Sequence, residues 1–192
     1  MKIPVIDDIG YIEIINVCGS EEMIRKIAGL SHDSKDGPTI ENLLKWNHMS
    51  PFEFASITFK IKCPIFVARQ LFRHRTGHYM EKSLRYCESK AEFYTPKNGY
   101  QSIHRLHNEA SYEAYTWLLK KGQDKEKARA VLPMSTYTEY YFQMDLRNLI
   151  HKLEMRTDTS AQPETRAYAQ EMTASLYIVF PTVYEYLTRE KK

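Results

Sequence analysis

The strongest constraint on the fold is a stretch, Ser56 to Lys62, in which apolar and polar residues alternate. Successive side chains of a β-strand point to opposite faces of a sheet, so this pattern predicts a strand with one buried face. A second stretch, Thr136 to Met144, alternates in the same way. The residues on the two predicted buried faces are Ile57, Phe59, Ile61, Thr138, Tyr140, Phe142 and Met144. Two such strands need helices to cover their apolar face.

Helical periodicity and helix-start signals account for most of the remaining chain. A short strand is predicted at Tyr11 to Val17, a break at Gly77 and a turn at Asn98-Gly99. Helices are predicted at about Glu21 to Ala28, Thr39 to Trp46, Pro64 to Phe72, Ser111 to Lys120, Asp124 to Ala130, Leu146 to Arg156 and Pro163 to Val179. Because strands and helices do not alternate regularly, we predict an α+β fold, with a mixed, mainly antiparallel sheet packed with helices in one domain over residues 1–192.

The helix expected after the second alternating stretch has a clear start and a clear buried face. Asp145 is a good N-cap, and Leu146, Leu149, Ile150 and Leu153 form a core-facing stripe. Arg147 and His151 are four residues apart and share a different face of this helix. That polar face could meet a ligand or only solvent, and the spacing leaves both open.

The charge balance and the cysteines narrow the function classes. The chain has 27 basic and 24 acidic residues, and a net charge of +3 is too small to indicate a dedicated nucleic-acid binder. Cys18, Cys63 and Cys87 are scattered, which predicts neither a disulfide framework nor a metal site and favours a reducing compartment. No signal peptide or membrane-spanning stretch is recognisable, so we expect a cytoplasmic protein with no membrane partner.

The densest group of polar side chains lies between Arg69 and Tyr86. It contains five Lys or Arg residues, two His and one Glu, directly after an apolar helix. Arginine binds phosphate oxygens with two parallel hydrogen bonds, and so many cations in a row repel one another unless an anion is present. A solvated basic surface is the alternative. The interleaved apolar residues Phe72, Tyr79, Leu84 and Tyr86 favour a pocket.

The motif inside this group resembles the signature of the flavin-dependent thymidylate synthases. Arg73-His74-Arg75 is followed by seven residues, then by Ser83 and Leu84-Arg85-Tyr86. Four flanking segments are similar to further segments of the family in the expected order: His48 to Glu53, Cys63 to Gln70, Ala128 to Pro133 and Leu153 to Asp158. The resemblance extends from about Tyr11 to Leu187.

The resemblance implies an enzyme that converts dUMP to dTMP. NADPH would reduce bound FAD, methylenetetrahydrofolate would donate the methylene group, and the reduced flavin would supply the hydride. The family is homotetrameric, so self-association is expected as well. The chemistry would come mainly from FAD and folate, while the protein orients them and supplies charge.

The resemblance also assigns roles to individual residues. Those expected to hold FAD are Ser50, Arg73, His74, Arg75, Glu81 and Arg147, and geometry alone adds His151. Those expected to hold the nucleotide are Gln70, Arg73, Glu81, Ser83, Arg85, Arg129 and Arg156. Arg156 would also act catalytically, by favouring the N-3-ionised pyrimidine and so making its C-5 carbon more nucleophilic. Without the resemblance, Arg156 reads as a helix C-terminal arginine that offsets the helix dipole.

Two rival functions follow from the same residues. Six positions depart from the family pattern, namely Gly29, His78, Met80, Asp145, His151 and Ser160. They suggest an enzyme that modifies another pyrimidine monophosphate, such as dCMP, or adds hydroxymethyl. The other rival is a nucleic-acid-binding module in which bases stack on Phe72, Tyr79 and Tyr86. The small net charge counts against that module.

Overall fold

A computed structural model describes residues 2–31, 33, 36–97 and 99–189. Within these residues, five antiparallel strands form one sheet in the order β1-β2-β3-β5-β4. The strands are β1 (Ile3–Pro4), β2 (Tyr11–Cys18), β3 (Ser56–Pro64), β4 (His78–Glu81) and β5 (Tyr137–Asp145). The helices are α1 (Glu21–Leu30), α2 (Ile40–Lys45), α3 (Ile65–Leu71), α4 (Gln101–Lys120), α5 (Lys125–Ala128), α6 (Leu146–Thr157), α7 (Pro163–Val179) and α8 (Pro181–Thr188). The predicted α+β class with a mainly antiparallel sheet is confirmed.

The two alternating stretches form the centre of the sheet. Strands β3 and β5 pair along their whole length, with Phe59 opposite Phe142. Their rings stack with centroids 6.2 Å apart, and both side chains are fully buried. The other residues predicted for the buried faces are also buried, so the predicted side of each strand is confirmed.

Helices α6 and α7 cover the apolar face of this sheet. The predicted stripe of α6 is buried throughout, and Tyr168, Met172 and Leu176 of α7 join it in the same core. Asp145 ends β5 and caps α6 at once, because its carboxylate accepts a hydrogen bond from the Asn148 amide at 3.0 Å. Helix α6 therefore begins directly where β5 ends, with no loop between them, and packs on the sheet. No helix in the described ranges is long and apolar enough to cross a membrane.

The prediction was incomplete where apolar periodicity is weak. Strand β4 and helix α8 were not predicted, and α4 begins at Gln101 rather than Ser111. The outward side chains of β4 are polar or exposed, and α4 buries only Asn108 and Tyr115, so neither carries a core-facing pattern. The predicted helix Asp124 to Ala130 is α5 followed by a 3₁₀ turn, Arg129–Val131. Of the predicted Asn98-Gly99 turn, Asn98 lies outside the described residues, while Gly99 has a positive φ of 86°.

Gly77 lets the segment after α3 lie flat against β5. A Cβ atom at this position would stand 2.7 Å from the Phe142 ring and 2.8 Å from the Met144 methyl group, both too close. Directly after Gly77 the chain becomes β4, which pairs with β5 from His78 opposite Gln143 onward. The segment between α3 and β4 is therefore fixed to the sheet at its downstream end.

We expect Gly77→Ala to loosen this segment. The added methyl group must displace Phe142 or the chain itself, and forcing an extra carbon into packed surroundings costs about 1–3 kcal/mol of unfolding free energy. Denaturant unfolding measures this loss. The control is Thr76→Ala, at an exposed neighbouring position. Equal stabilities of the two variants would contradict the packing argument.

Candidate functional site

A cleft with three arginines opens at the end of α3. It encloses about 490 Å³, and its lining includes Arg69, Arg73, Arg75, Glu81 and Phe72. We call it the arginine cleft. Glu81 is held in place by the Thr138 hydroxyl, which donates a hydrogen bond of 2.6 Å to it. Three guanidinium groups beside one carboxylate leave a surplus of positive charge, which suits a phosphorylated ligand.

His74 lies between Arg73 and Arg75 but contacts α6 instead of lining this cleft. Arg156, in the last turn of α6, donates a hydrogen bond from Nε to His74 Nε2 at 3.1 Å. The His151 ring lies edge-on to the His74 ring, with centroids 6.4 Å apart. Two members of the predicted site that are 82 residues apart, His74 and Arg156, are therefore in direct contact.

The surroundings of His74 keep its imidazole neutral. Burial, then the charge of Lys152, then that of Arg156 and of His151 lower the pKa of His74 from 6.5 to about 4. A neutral imidazole has one acceptor nitrogen, and here Nε2 accepts from Arg156. Arg156 is thus oriented by a partner that does not neutralise it, so its positive charge is available to an anion.

A second part of the site lies where α6 begins. Ser50 and Arg147 line a cleft of about 460 Å³ next to His48 and Met49. Arg147 also lines an adjacent cleft of about 300 Å³, together with His151. The Arg147 guanidinium donates to the carboxylate of Glu53, which holds it at the junction of the two spaces. We call these two spaces the α6 clefts.

Three predicted nucleotide residues meet away from both cleft systems. Arg85 Nε contacts the Glu126 carboxylate at 3.1 Å, and Arg129 Nε donates to the Glu126 carbonyl at 3.3 Å. The Ser83 hydroxyl accepts from the Arg85 amide at 3.3 Å, so all three belong to one cluster. Gln70 sits apart from it and donates to Gln162 on the loop before α7.

The predicted residues therefore fall into neighbouring groups instead of one pocket. Arg73, Arg75 and Glu81 line the arginine cleft, while Ser50, Arg147 and His151 line the α6 clefts. The Arg156–His74 contact and the ring of His151 connect α6 to the segment that carries the arginines. Ser83, Arg85 and Arg129 are not among the lining residues of the arginine cleft.

Sequence reasoning missed Lys152, which lies beneath the site, and considered Tyr79 only as a pocket residue or a base-stacking residue. Lys152 is fully buried, and its ammonium lies over the Phe142 ring at 3.6 Å from the centroid. The signal was available, because Lys152 is three residues after Leu149 and one before Leu153, within the core-facing stripe of α6. Glu126 was also missed, and no sequence pattern pointed to its contact with the two arginines.

Comparison with known proteins identifies the family. The family model described as thymidylate synthase complementing protein matches residues 11–182. The chain belongs to this family. The flavin-dependent thymidylate synthase of Thermotoga neapolitana is 37% identical over 203 aligned residues, which cover 96% of this chain and 93% of that protein. That of Thermus thermophilus is 38% identical and covers 88% of this chain and 72% of that protein.

A solved structure of the same fold extends this result. The UMP/dUMP methylase PolB from Streptomyces cacaoi, bound with 5-Br dUMP, superposes with a TM-score of 0.85. It is 30% identical, and the match covers 97% of each chain. The sheet and helices that position the groups described above are therefore shared with this methylase.

The low pKa of His74 predicts a specific pH dependence of stability. Between about pH 4 and 6.5 the unfolded chain binds a proton at His74 that the folded chain does not. The free energy of unfolding must therefore fall as the pH is lowered through this range. His74→Gln removes this pH-dependent contribution to the free energy of unfolding, because an amide does not titrate.

We expect the wild type to lose stability relative to His74→Gln as the pH falls from about 6.5 to about 4. Denaturant titrations of both proteins at several pH values measure the difference. A difference that stays constant over this range would show that His74 is not held neutral.

Proposed function

We propose that this chain is a flavin-dependent thymidylate synthase, which converts dUMP to dTMP with methylenetetrahydrofolate as the one-carbon donor. One observation carries the proposal. Arg156 is oriented by the neutral histidine of the Arg73-His74-Arg75 motif, whose two arginines line a cleft with excess positive charge. A fixed and unneutralised guanidinium beside a phosphate-binding cleft is what a reaction on an anionic pyrimidine nucleotide requires.

The nucleotide phosphate has two groups of candidate ligands. Arg73 of the arginine cleft supplies a guanidinium group for charge-assisted hydrogen bonds, and Glu81 supplies an oriented carboxylate for a ribose hydroxyl. Arg85, Arg129 and Ser83 supply the second group, in which Glu126 holds the Arg85 guanidinium in place. Gln70 would contribute an amide donor from the end of α3.

Arg156 would stabilise negative charge on the pyrimidine. A guanidinium group beside the ring favours the N-3-ionised form, which raises electron density at C-5. His74 contributes by accepting from Nε of Arg156, which leaves the two terminal NH₂ groups to face a ligand. A protonated His74 would repel Arg156, so the low pKa of His74 is part of the arrangement.

The donors around the α6 clefts fit a flavin dinucleotide. Ser50 offers a hydroxyl, Arg147 a cation and His151 a ring with a donor nitrogen. The His74 ring contacts His151 from the motif, and Arg75 lines the arginine cleft. Such a set can bind both the pyrophosphate and the polar edge of an isoalloxazine ring. When bound, FAD reduced by NADPH supplies the hydride for the methyl group.

Several broader features belong to the same proposal. One cluster of buried residues joins strands and helices from both ends of the chain, which supports a single domain. Exposed apolar side chains on α4, at Ile103, Leu106 and Trp117, support self-association as a homotetramer. We place the enzyme in the cytoplasm, where its three free cysteines would stay reduced.

A second substrate has an observation in its favour. PolB is described as a methylase of both UMP and dUMP, and its fold covers nearly the whole of this chain. We therefore keep UMP as the alternative substrate of the same site. The two are distinguished by the mass of the product after incubation with dUMP, UMP or dCMP.

The decisive variant for the proposed function is Arg156→Ala. Removing a preorganised group that stabilises developing charge lowers kcat by about 10²- to 10³-fold. The assay follows dUMP-dependent oxidation of the reduced flavin and formation of dTMP. The matched control is Arg189→Ala, which removes an exposed arginine at the end of α8 and should keep full activity.

Three outcomes would contradict the proposal. A purified wild-type protein that neither contains flavin nor binds added FAD cannot perform this reaction. Turnover of UMP or dCMP but not of dUMP would reassign the substrate. An Arg156→Ala protein with unchanged kcat would remove the role given to Arg156.

A further inference from the structure

A buried lysine lies directly beneath the Arg156–His74 contact. Lys152, in the middle of α6, has no exposed surface, and its Nζ stands 3.6 Å from the centre of the Phe142 ring. Within the described part of the chain, no carboxylate forms an ion pair with it. The proposed function gives no role to this charge.

Lys152 reaches the site through one tyrosine. Its Nζ lies 3.4 Å from the Tyr79 hydroxyl, at the start of β4. That hydroxyl donates in turn to the carbonyl oxygen of His74 at 2.8 Å, and lies 3.1 Å from the carbonyl of Leu71. We call Lys152, Tyr79 and the His74 carbonyl the lysine relay.

The relay gives α6 a second contact with the motif segment. Lys152 and Arg156 are four residues apart, so both project from the same side of α6. Arg156 binds the His74 imidazole, whereas Lys152 acts through Tyr79 on the His74 main chain. One residue of the motif is therefore fixed both at its backbone and at its ring.

Burying this ammonium costs folding free energy. A cation removed from water without a carboxylate partner is destabilising, and a methionine of similar length would pack against Phe142 without that cost. Burial, and then the charge of Arg156, lower the pKa of Lys152 to about 7, an effect that Cys63 of β3 opposes. Such a group is expected where it serves a site rather than the core.

We propose that Lys152 is a positioning residue, which acts through Tyr79 to hold the His74 main chain so that Nε2 faces Arg156. This inference deepens the proposed function, on which its kinetic consequence rests. The geometry of the relay is independent of which nucleotide the enzyme converts.

Because charged groups surround His74, its pKa tests the proposal without any measurement of catalytic turnover. Its imidazole faces Lys152, Arg156 and His151, all on α6, while Tyr79 of β4 contacts its carbonyl. Removing the Lys152 charge must raise the pKa of His74 above about 4, toward its usual 6.5. Removing only the Tyr79 hydroxyl leaves that charge in place, so the pKa of His74 should stay low in Tyr79→Phe.

The test compares Lys152→Met, Tyr79→Phe and the double variant in the full-length flavin-loaded enzyme. We expect kcat with dUMP to fall about tenfold in each single variant, with KM changed less than about threefold, because orientation and not binding is lost. The double variant should fall no further, because both changes break the same relay. The thermal midpoint of Lys152→Met should be equal to or above that of the wild type. Lys26→Met, at an exposed position of α1, is the control.

Each other outcome overturns the proposal. An unchanged kcat in Lys152→Met would show that the relay has no effect on the site. A fall in kcat that parallels a fall in thermal midpoint would make Lys152 structural, and additive losses in the double variant would show that Lys152 does not act through Tyr79.

If the wild type does not convert dUMP, the proposed function fails. The pKa of His74, measured by NMR in the ligand-free variants, then still decides the inference, and an unchanged value in Lys152→Met overturns it.

Discussion

The hydrogen bond from Arg156 to His74 is the interaction on which the site depends. It joins two cationic residue types, and it forms only because burial and neighbouring positive charges keep the imidazole unprotonated. A carboxylate in place of His74 would orient Arg156 equally well but would neutralise it. The protein thus obtains an arginine that is both fixed and available to an anion.

The sheet makes this contact possible by fixing both partners. Strand β5 runs directly into α6 through the Asp145 cap, so the position of Arg156 follows from the register of the sheet. The other partner lies on the segment after α3, which is tied to the same strand by Gly77 and the β4–β5 pairing. Helix α6 and the motif segment therefore share β5 as a common support. This explains how residues so distant in sequence can be held to within hydrogen-bond distance.

The spacing of apolar residues along the sequence predicted those strands and helices that bury one face. The alternation at Ser56 to Lys62 and the stripe of α6 gave the central strand, its orientation and the helix that covers it. Strand β4 could not be predicted in this way, because it has only four residues and depends on pairing with β5. The same limit applied to the site. The family resemblance named His74 and Arg156. Their contact, the two α6 clefts and the lysine relay depend on tertiary packing that no spacing reveals.

The predicted residues lie in several neighbouring groups. Our central claim is that these groups jointly bind two phosphorylated ligands. The most direct measurement is a crystal structure of the assembled protein with FAD and dUMP. The account predicts the dUMP phosphate on the arginines of the motif region, the flavin against Arg147 and His151, and Arg156 hydrogen-bonded to the pyrimidine while His74 still accepts from its Nε. Nucleotide and flavin bound elsewhere, with Arg73, Arg75 and Arg156 open to solvent in the assembly, would contradict it.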